Sequence, residues 1–230
     1  NVQASFQVID VVNMMKPLTK RSVQIRGPRS IPEEIRQAFK TATTERQGAC
    51  HIELPEDIAA EEVDEFFKPQ TINKARRPIA DSKAIYLAAE AIRQAKNPLL
   101  IVSSRAQRNS VHKSLRAFCD ATNLYVVHTQ LGKGTLGDDH KNSLYAFSIH
   151  RNDFVSPIVA QADLIITVGY STVEYPPSVW NKELNKKIMH IDFTPAQHDI
   201  YYAQDIEVIG DISSSLYSLA SALHSYYHDG

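Results

Sequence analysis

The sequence predicts an α/β protein with a doubly wound, mostly parallel sheet of the Rossmann-like kind. Leu164 to Val168 is a continuous apolar run, which is the pattern of a strand buried on both faces of a parallel sheet. Gly169 follows this run directly and allows the backbone to turn tightly. After Asp81, apolar runs of strand length alternate with segments of helical period, which indicates parallel strands joined by helices.

The order of the elements divides the chain into three stretches. Residues 1–58 carry a predicted strand at Ser22–Ile25, a helix and a second strand at Ala49–Leu54, which is too little for a complete sheet. Residues 59–80 are polar and contain two prolines, as interdomain linkers often do. Residues 81–230 hold the regular alternation. We therefore predict the end of an N-terminal α/β domain, a linker and a central domain.

Individual elements follow from local signals. In the first stretch, Asp10 is a possible cap for a short helix that begins around Phe6, and Ser30 is a plausible N-cap for the next helix. In the third stretch, helices are predicted from Asp81 or Ser82, from Asn109 or Ser110, around Val155 and from Ser213. The strands predicted there are 98–102, 124–127, 164–168, 187–191 and 206–209. The segment between the second strand and about Asn152 is predicted as a polar loop.

Composition excludes several classes of protein. The chain of 230 residues is 43% hydrophobic and 22% charged with a net charge of −1, which is typical of a globular protein without a basic face for nucleic acid. No apolar run approaches the roughly 20 residues of a membrane span. The cysteines Cys50 and Cys119 form no disulfide framework and favour the cytoplasm. Because the chain begins at Asn1 and not at a methionine, we interpret it as a piece of a longer protein.

Two features suggest ligand binding, and each has a plain structural alternative. Gly132-Lys133-Gly134 resembles half of a phosphate loop but lacks the full spacing, so a flexible turn is the more common outcome. Asp192 ends a strand, where it can accept a hydrogen bond from a ribose hydroxyl or simply cap the next turn. No Gly-x-Gly-x-x-Gly follows any strand, because the first strand of the central domain ends in Ser103-Ser104-Arg105. These observations disfavour a dinucleotide site.

The remaining candidates concern metals and the loop after Gly169. Asp138-Asp139-His140 and the pair His190 and Asp192 contain metal-capable side chains without the spacing of a ligand set, so we predict no metal site. Glu174, Tyr175 and Trp180 flank a double proline. They form either a rigid specificity loop or an aromatic patch against a neighbouring domain, and we slightly favour the patch.

Several short motifs occur in the order found in thiamine diphosphate-dependent enzymes. In the first stretch these are Pro17–Lys20, Ile31–Phe39, Arg46-Gln47-Gly48 and Leu54–Asp57. In the third stretch they are Gly132-Lys133-Gly134, Ala162–Ile165, His190-Ile191-Asp192 and Gly210-Asp211. The first set resembles the end of the pyrimidine-binding domain of these enzymes, and the second set resembles their central domain. The segment Gly169–Tyr175 with Trp180-Asn181 is most similar to catabolic acetolactate synthases.

The resemblance implies part of a cytoplasmic transferase that joins two pyruvates and releases carbon dioxide with thiamine diphosphate and Mg²⁺. In such enzymes pyrimidine- and diphosphate-binding domains complete the site, and a homo-oligomer is expected. Phe6 and Gln7 match a Phe-Gln pair that faces the active site in biosynthetic relatives, so they are the candidate catalytic residues. The glutamate that activates the cofactor and the Gly-Asp-Gly…Asn anchor of Mg²⁺ find no match, so the cofactor-binding residues are unknown and the isolated chain is expected to be inactive. Ser103-Ser104 and Glu174-Tyr175 replace residues that flavin-binding relatives use, so FAD is not expected.

Two other functions stay open at this point. One keeps the family but changes the reaction to decarboxylation of another 2-oxo acid. The other is a regulatory module that binds a nucleotide at Gly132–Gly134 and the loop after Gly169.

Overall fold

The architecture is taken from a computed structural model of the chain. The residues that it describes are 9–63, 71, 75–148 and 154–229. The chain divides into two compact units, Asn1–Arg76 and Arg77–Gly230. Each unit is described by itself below.

The first unit contains two parallel strands with short helices. Its described α-helices and strands, in chain order, are α1 (Val11–Met15), β1 (Arg21–Gln24), α2 (Ile31–Thr43), β2 (Cys50–Glu53) and α3 (Glu56–Ala59). In the sheet, Arg21 lies opposite Cys50 and Gln24 lies opposite Glu53. Two strands cannot bury much apolar surface, and Phe39 of α2 accordingly remains 53% exposed. The strand–helix–strand order is the one that the sequence predicts for residues 1–58.

The helix ends of the first unit follow partly from the predicted caps. Asp10 caps α1, because its carboxylate accepts a hydrogen bond from the Asn13 N–H at 2.9 Å. Ser30 occupies the N-cap position of α2, but its hydroxyl donates to the Gly27 carbonyl at 2.8 Å and caps no helical N–H. Glu33 and Glu34 in the first turn of α2 instead complement the positive end of the helix dipole.

The second unit is a six-stranded parallel sheet with helices on it. Its described strands are β3 (Pro98–Val102), β4 (Tyr125–His128), β5 (Ser143–Ala146), β6 (Leu164–Val168), β7 (Lys187–Asp192) and β8 (Ile206–Ile209). Its described α-helices are α4 (Ser82–Gln94), α5 (Asn109–Thr122), α6 (Ser156–Gln161) and α7 (Ile212–Ala222). The strand order is β5-β4-β3-β6-β7-β8, and every neighbouring pair is parallel.

The sheet is doubly wound, as predicted. The chain enters at β3, continues outward through β4 and β5, and then returns to place β6 on the other side of β3. Leu100 and Val102 of β3 belong to a core cluster with side chains of α4, α5 and α7. Leu99 and Ile101 belong to a second cluster with α6 and several aromatic side chains. Because side chains of a strand alternate between its faces, β3 is covered on both sides.

One strand of this sheet was not predicted. β5 lies in the segment that the sequence analysis assigns to a polar loop, so that prediction is wrong for Ser143–Ala146. The strand is short, forms the edge of the sheet, and pairs with β4 through a register shift between Val126 and His128. Its Tyr145 also has a positive φ of 68°. Such a distorted edge strand lacks the long apolar run by which the others are recognised.

The helix starts in the second unit agree with their sequence signals. The carboxylate of Asp81 accepts hydrogen bonds from the N–H groups of Lys83 and Ala84, which caps α4. Asp211 caps α7 by accepting from the Ser214 N–H at 3.0 Å. Across the described parts of both units, no helix combines the length and the apolar character that crossing a membrane requires.

Candidate functional site

The candidate site lies where β3 and β6 end, because the direction of winding reverses between these two strands. Open α/β sheets place ligands outside the carboxyl ends of strands at this switch point. The residues that follow the strands here are Ser103–Arg105 after β3, Thr129 after β4 and Gly169 after β6. Asp192 ends the neighbouring strand β7.

Gly169 holds the ends of β3 and β6 together. Its φ is +60°, and a Cβ at this position would lie 2.4 Å from the Ala106 nitrogen. The Gly169 carbonyl accepts a hydrogen bond from the Arg105 N–H at 3.1 Å. The prediction that this glycine ends the strand with a tight turn is confirmed.

Gly132-Lys133-Gly134 forms the turn after β4. A Cβ on Gly132 would lie 2.3 Å from the Val102 carbonyl oxygen, so the glycine allows this turn to contact the end of β3. Gly134 has a φ of +86°. Lys133 is exposed, and its carbonyl accepts a hydrogen bond from the side chain of Gln107. The geometry favours the close-packed turn over a phosphate loop.

The carboxylate of Glu174 lies against the ends of β3 and β4. Its Oε2 accepts hydrogen bonds from the Ser103 hydroxyl at 2.6 Å and the Ser104 N–H at 3.3 Å. Its Oε1 accepts from the Thr129 hydroxyl and from the Leu131 N–H at 2.7 Å. Burial favours a higher pKa for Glu174, but these hydrogen bonds outweigh it and lower the pKa below its usual value. The side chain is therefore ionised at neutral pH.

Aromatic side chains hold the loop that carries Glu174. The Tyr170 hydroxyl accepts a hydrogen bond from the Trp180 indole N–H at 2.9 Å and donates to the Tyr175 carbonyl. The rings of Tyr170 and Tyr202 stack with centroids 5.2 Å apart, and Tyr175 stacks on Phe147 at 4.3 Å. Trp180 is only 8% exposed and belongs to one core cluster with Tyr170 and Tyr202. The favoured interpretation, an aromatic patch of Glu174, Tyr175 and Trp180 against a neighbouring domain, is therefore wrong for Trp180. Its burial fits the alternative of a rigid loop.

Asp192 pairs with Arg105, which lies 87 positions earlier in the chain. Its carboxylate accepts a hydrogen bond from Arg105 Nε at 2.7 Å and another from the Phe193 N–H at 2.6 Å. The same guanidinium donates to the Tyr170 carbonyl. Asp192 is fully buried, so the turn-capping alternative describes it and its oxygens face protein groups.

His190 belongs to a buried hydrogen-bond network near the carboxyl end of β7. Its Nδ1 lies 2.8 Å from the Tyr202 hydroxyl, and its Nε2 lies 3.1 Å from the Thr194 carbonyl. The Tyr202 hydroxyl also contacts the hydroxyl of Thr167 at 2.5 Å. Burial lowers the pKa of His190, which outweighs the opposing effect of Asp192, so the ring is neutral.

The side chains of the other metal-capable motif form separate ion-pair contacts, one by the buried His140 and one by the exposed Asp139. His140 Nε2 lies 3.0 Å from an Asp120 oxygen, and Asp139 pairs with Arg116 at 3.3 Å. Among residues 9–63, 71, 75–148 and 154–229, no three or more His, Cys, Asp or Glu side chains are grouped so that they could hold a metal. The His, Cys, Asp and Glu side chains of these residues therefore do not fit Mg²⁺ with a diphosphate. No catalytic step through thiamine diphosphate follows from them.

Phe6 and Gln7, the predicted catalytic residues, lie outside the described residues. Their role therefore stays a prediction. The residues that the structure adds are Arg105 and, in a new role, Glu174. In the sequence, the only indication of either residue is the polar segment Ser103-Ser104-Arg105 at the end of a buried strand. Its side chains need hydrogen-bond partners from other parts of the fold.

Fold and site together define a doubly wound α/β domain whose switch-point crevice is filled by side chains of the protein itself. Residues 85–219 match the family described as "Thiamine pyrophosphate enzyme, central domain". The chain belongs to this family of thiamine pyrophosphate enzymes.

Curated relatives extend the similarity beyond that domain. The acetolactate synthase of Bacillus subtilis (strain 168) is 30% identical over 216 residues, which cover 94% of this chain and 38% of the relative. The catabolic acetolactate synthase of Raoultella terrigena is 32% identical over 222 residues, covering 94% of this chain and 39% of the relative. The chain thus spans about two fifths of the length of these relatives.

A solved structure supports the fold. A Mycobacterium smegmatis protein described as a thiamin diphosphate-dependent enzyme aligns with a TM-score of 0.75. The alignment covers 93% of this chain and 41% of that protein at 20% identity, so it bears on the fold alone.

Proposed function

We propose that this chain is the structural middle part of an acetolactate synthase, an enzyme that condenses two pyruvates to 2-acetolactate with release of carbon dioxide. The observation that carries the proposal is the alignment of acetolactate synthases from two bacteria with 94% of the chain. The geometry supports a scaffold role, because Glu174, Asp192 and His190 are each engaged by protein groups. In this proposal the sheet positions neighbouring domains that hold thiamine diphosphate, Mg²⁺ and pyruvate.

The remaining features of the proposal come from the same resemblance. Residues 1–58 are the end of the pyrimidine-binding domain, 59–80 are a linker and 81–230 are the central domain. Phe6 and Gln7 face the substrate in the complete enzyme, which we propose to be a cytoplasmic homo-oligomer. Both cysteines are free thiols, which is consistent with a reducing compartment. The crevice is occupied by Glu174 and by the Arg105–Asp192 pair, which supports the expectation that FAD does not bind.

A comparison of two proteins tests this proposal. We expect no acetolactate from the 230-residue chain supplied with pyruvate, thiamine diphosphate and Mg²⁺, measured by a colorimetric acetoin assay after acid decarboxylation. We expect acetolactate from a longer protein in which a relative supplies the preceding part of the pyrimidine-binding domain before residue 1 and the diphosphate-binding domain after residue 230. Acetolactate from the chain alone would overturn the scaffold role. Release of the free aldehyde instead of acetolactate by the longer protein would favour a simple 2-oxo acid decarboxylase.

A further inference from the structure

Four hydrogen-bond donors converge on one point between the ends of β3 and β4. The Ser103 hydroxyl and the Ser104 N–H come from the end of β3. The Thr129 hydroxyl and the Leu131 N–H come from the end of β4. The two strand ends are held in register by the Thr129 N–H, which donates to the Val102 carbonyl at 2.9 Å. We call these four groups the donor cradle.

The chemistry of the donor cradle fits an oxyanion. Two backbone N–H groups and two hydroxyl groups point at the same pair of oxygens, and no carboxylate or carbonyl among these contacts competes with them. Backbone and hydroxyl donors gathered in a concave turn are a common means of binding phosphate and carboxylate groups. The cradle also lies at the carboxyl ends of the strands, where open α/β folds bind their ligands.

The oxyanion now in the cradle is the protein's own. Glu174 reaches it from a loop fixed on both sides, by Tyr170 in the core and by Tyr175 stacked on Phe147. The residue before it, Val173, is 85% exposed, so the backbone lies at the surface while the carboxylate points inward.

We propose that the donor cradle is an oxyanion-binding site occupied by the Glu174 carboxylate, so that an external phosphate or carboxylate group enters it only when that side chain is removed. The inference concerns the crevice of the central domain and does not depend on the acetolactate synthase reaction. It accounts for the placement of the Glu174 carboxylate against four donors, with no cationic side chain among its hydrogen-bond partners in the part of the chain that the structure describes.

Replacement of the side chain tests the proposal by chemical rescue. We expect the Tm of E174A to rise by a few degrees on addition of acetate or inorganic phosphate, because a ligand that binds only the folded state stabilises it. The parent chain and E183A, in which an exposed glutamate is removed, give the baseline, since phosphate and other excluded salts also stabilise proteins generally. All samples contain sodium chloride adjusted to equal ionic strength.

Two further variants test whether the response to the anions depends on the donor cradle. Adding T129V to E174A removes one cradle donor and is expected to lose most of the response to both anions. E174Q keeps the size of the side chain but not its charge, so its amide still fills the cradle and its response is expected to match that of E183A. If E174A does not fold in sodium chloride alone, recovery of its folded circular dichroism spectrum on addition of acetate or phosphate is the measurement. No such recovery, or a response of E174A no larger than that of E183A, overturns the proposal. An equal response of the parent chain also overturns it, because Glu174 would then not be the occupant.

Discussion

At the level of single residues, the ends of β3 and β6 approach each other because position 169 has no side chain. The Ala106 nitrogen would lie 2.4 Å from a Cβ there, and a φ of +60° disfavours any residue with a Cβ. The approach lets the Arg105 N–H donate to the Gly169 carbonyl and sets the start of the loop that carries Glu174. Gly134 has a similar backbone conformation, with a φ of +86°, but nothing within 4 Å of its own Cβ position.

A comparison of alanine variants at these two glycines distinguishes the cost of backbone strain from the cost of steric conflict. We expect Gly169→Ala to lower the free energy of unfolding by about 2–4 kcal/mol, because left-handed backbone strain adds to the conflict with Ala106. Gly134→Ala is the matched control and should cost only about 1–2 kcal/mol from strain. Urea unfolding followed by circular dichroism measures both. Equal losses in the two variants would show that the contact with Ala106 contributes nothing.

At the level of elements, the loop from Gly169 to Trp180 rests on aromatic rings that cover one face of the sheet. Tyr170 and Tyr202 are each 1% exposed, and Trp180 packs edge-on against both rings. The Tyr202 hydroxyl connects this layer to the strands, because it contacts Thr167 of β6 and His190 of β7. The loop is therefore attached to the sheet by packing and by buried hydrogen bonds together.

The hydroxyl of Tyr202 can be removed without changing the ring. We expect Tyr202→Phe to lower the free energy of unfolding by about 1–3 kcal/mol, since Nδ1 of His190 is left buried without its partner. Thr167 is less affected because its hydroxyl also donates to the Met189 carbonyl at 3.1 Å. Tyr217→Phe, on an exposed ring of α7, is the control and should stay within about 0.5 kcal/mol of the parent. A thermal or urea denaturation series in which both variants behave alike would contradict the role of this hydroxyl.

The same elements explain what the sequence could predict. β3 and β6 are fully buried strands, and their apolar runs indicate both their existence and their parallel pairing. β5 is an edge strand with a register shift, so its four residues carry no comparable pattern. The cradle around Glu174 joins residues 103 and 174, which are 71 positions apart. Contacts at that separation depend on strand order, which periodicity does not specify.

At the level of the whole molecule, the second unit buries several ionisable side chains. Asp192 and His128 are fully buried, and His190 is 1% exposed. Asp192 is paired with Arg105, whereas both histidines are held in the neutral form by burial, which lowers the pKa of each. Groups of this kind make the stability of a domain depend on pH, because the unfolded chain releases them to water.

The two buried neutral histidines should make the fold less stable in mildly acidic solution. The pKa of His128 and of His190 is lowered from the ordinary 6.5, so between the two pKa values the unfolded chain binds more protons than the folded one. The stability that the two neutral histidines contribute is therefore fully present above about pH 6.5. It falls as the pH drops below that value, by up to about 1.4 kcal/mol per pH unit for each histidine.

Urea unfolding between pH 7.5 and pH 5.5 isolates this effect, because Glu174, whose pKa is lowered from 4.5, loses its contribution only at still lower pH. Asp192, Glu207 and Arg105 also face His190, and Tyr202 holds its Nδ1, so His190→Gln removes one titrating group while leaving these neighbours in place. We expect His190→Gln and His128→Gln each to flatten the slope by about one proton, and an exposed-site variant, His224→Gln, to keep it. If the slope of the parent chain persisted in both buried-site variants, the acid sensitivity would have to come from other groups, and the buried neutral histidines would have no part in it.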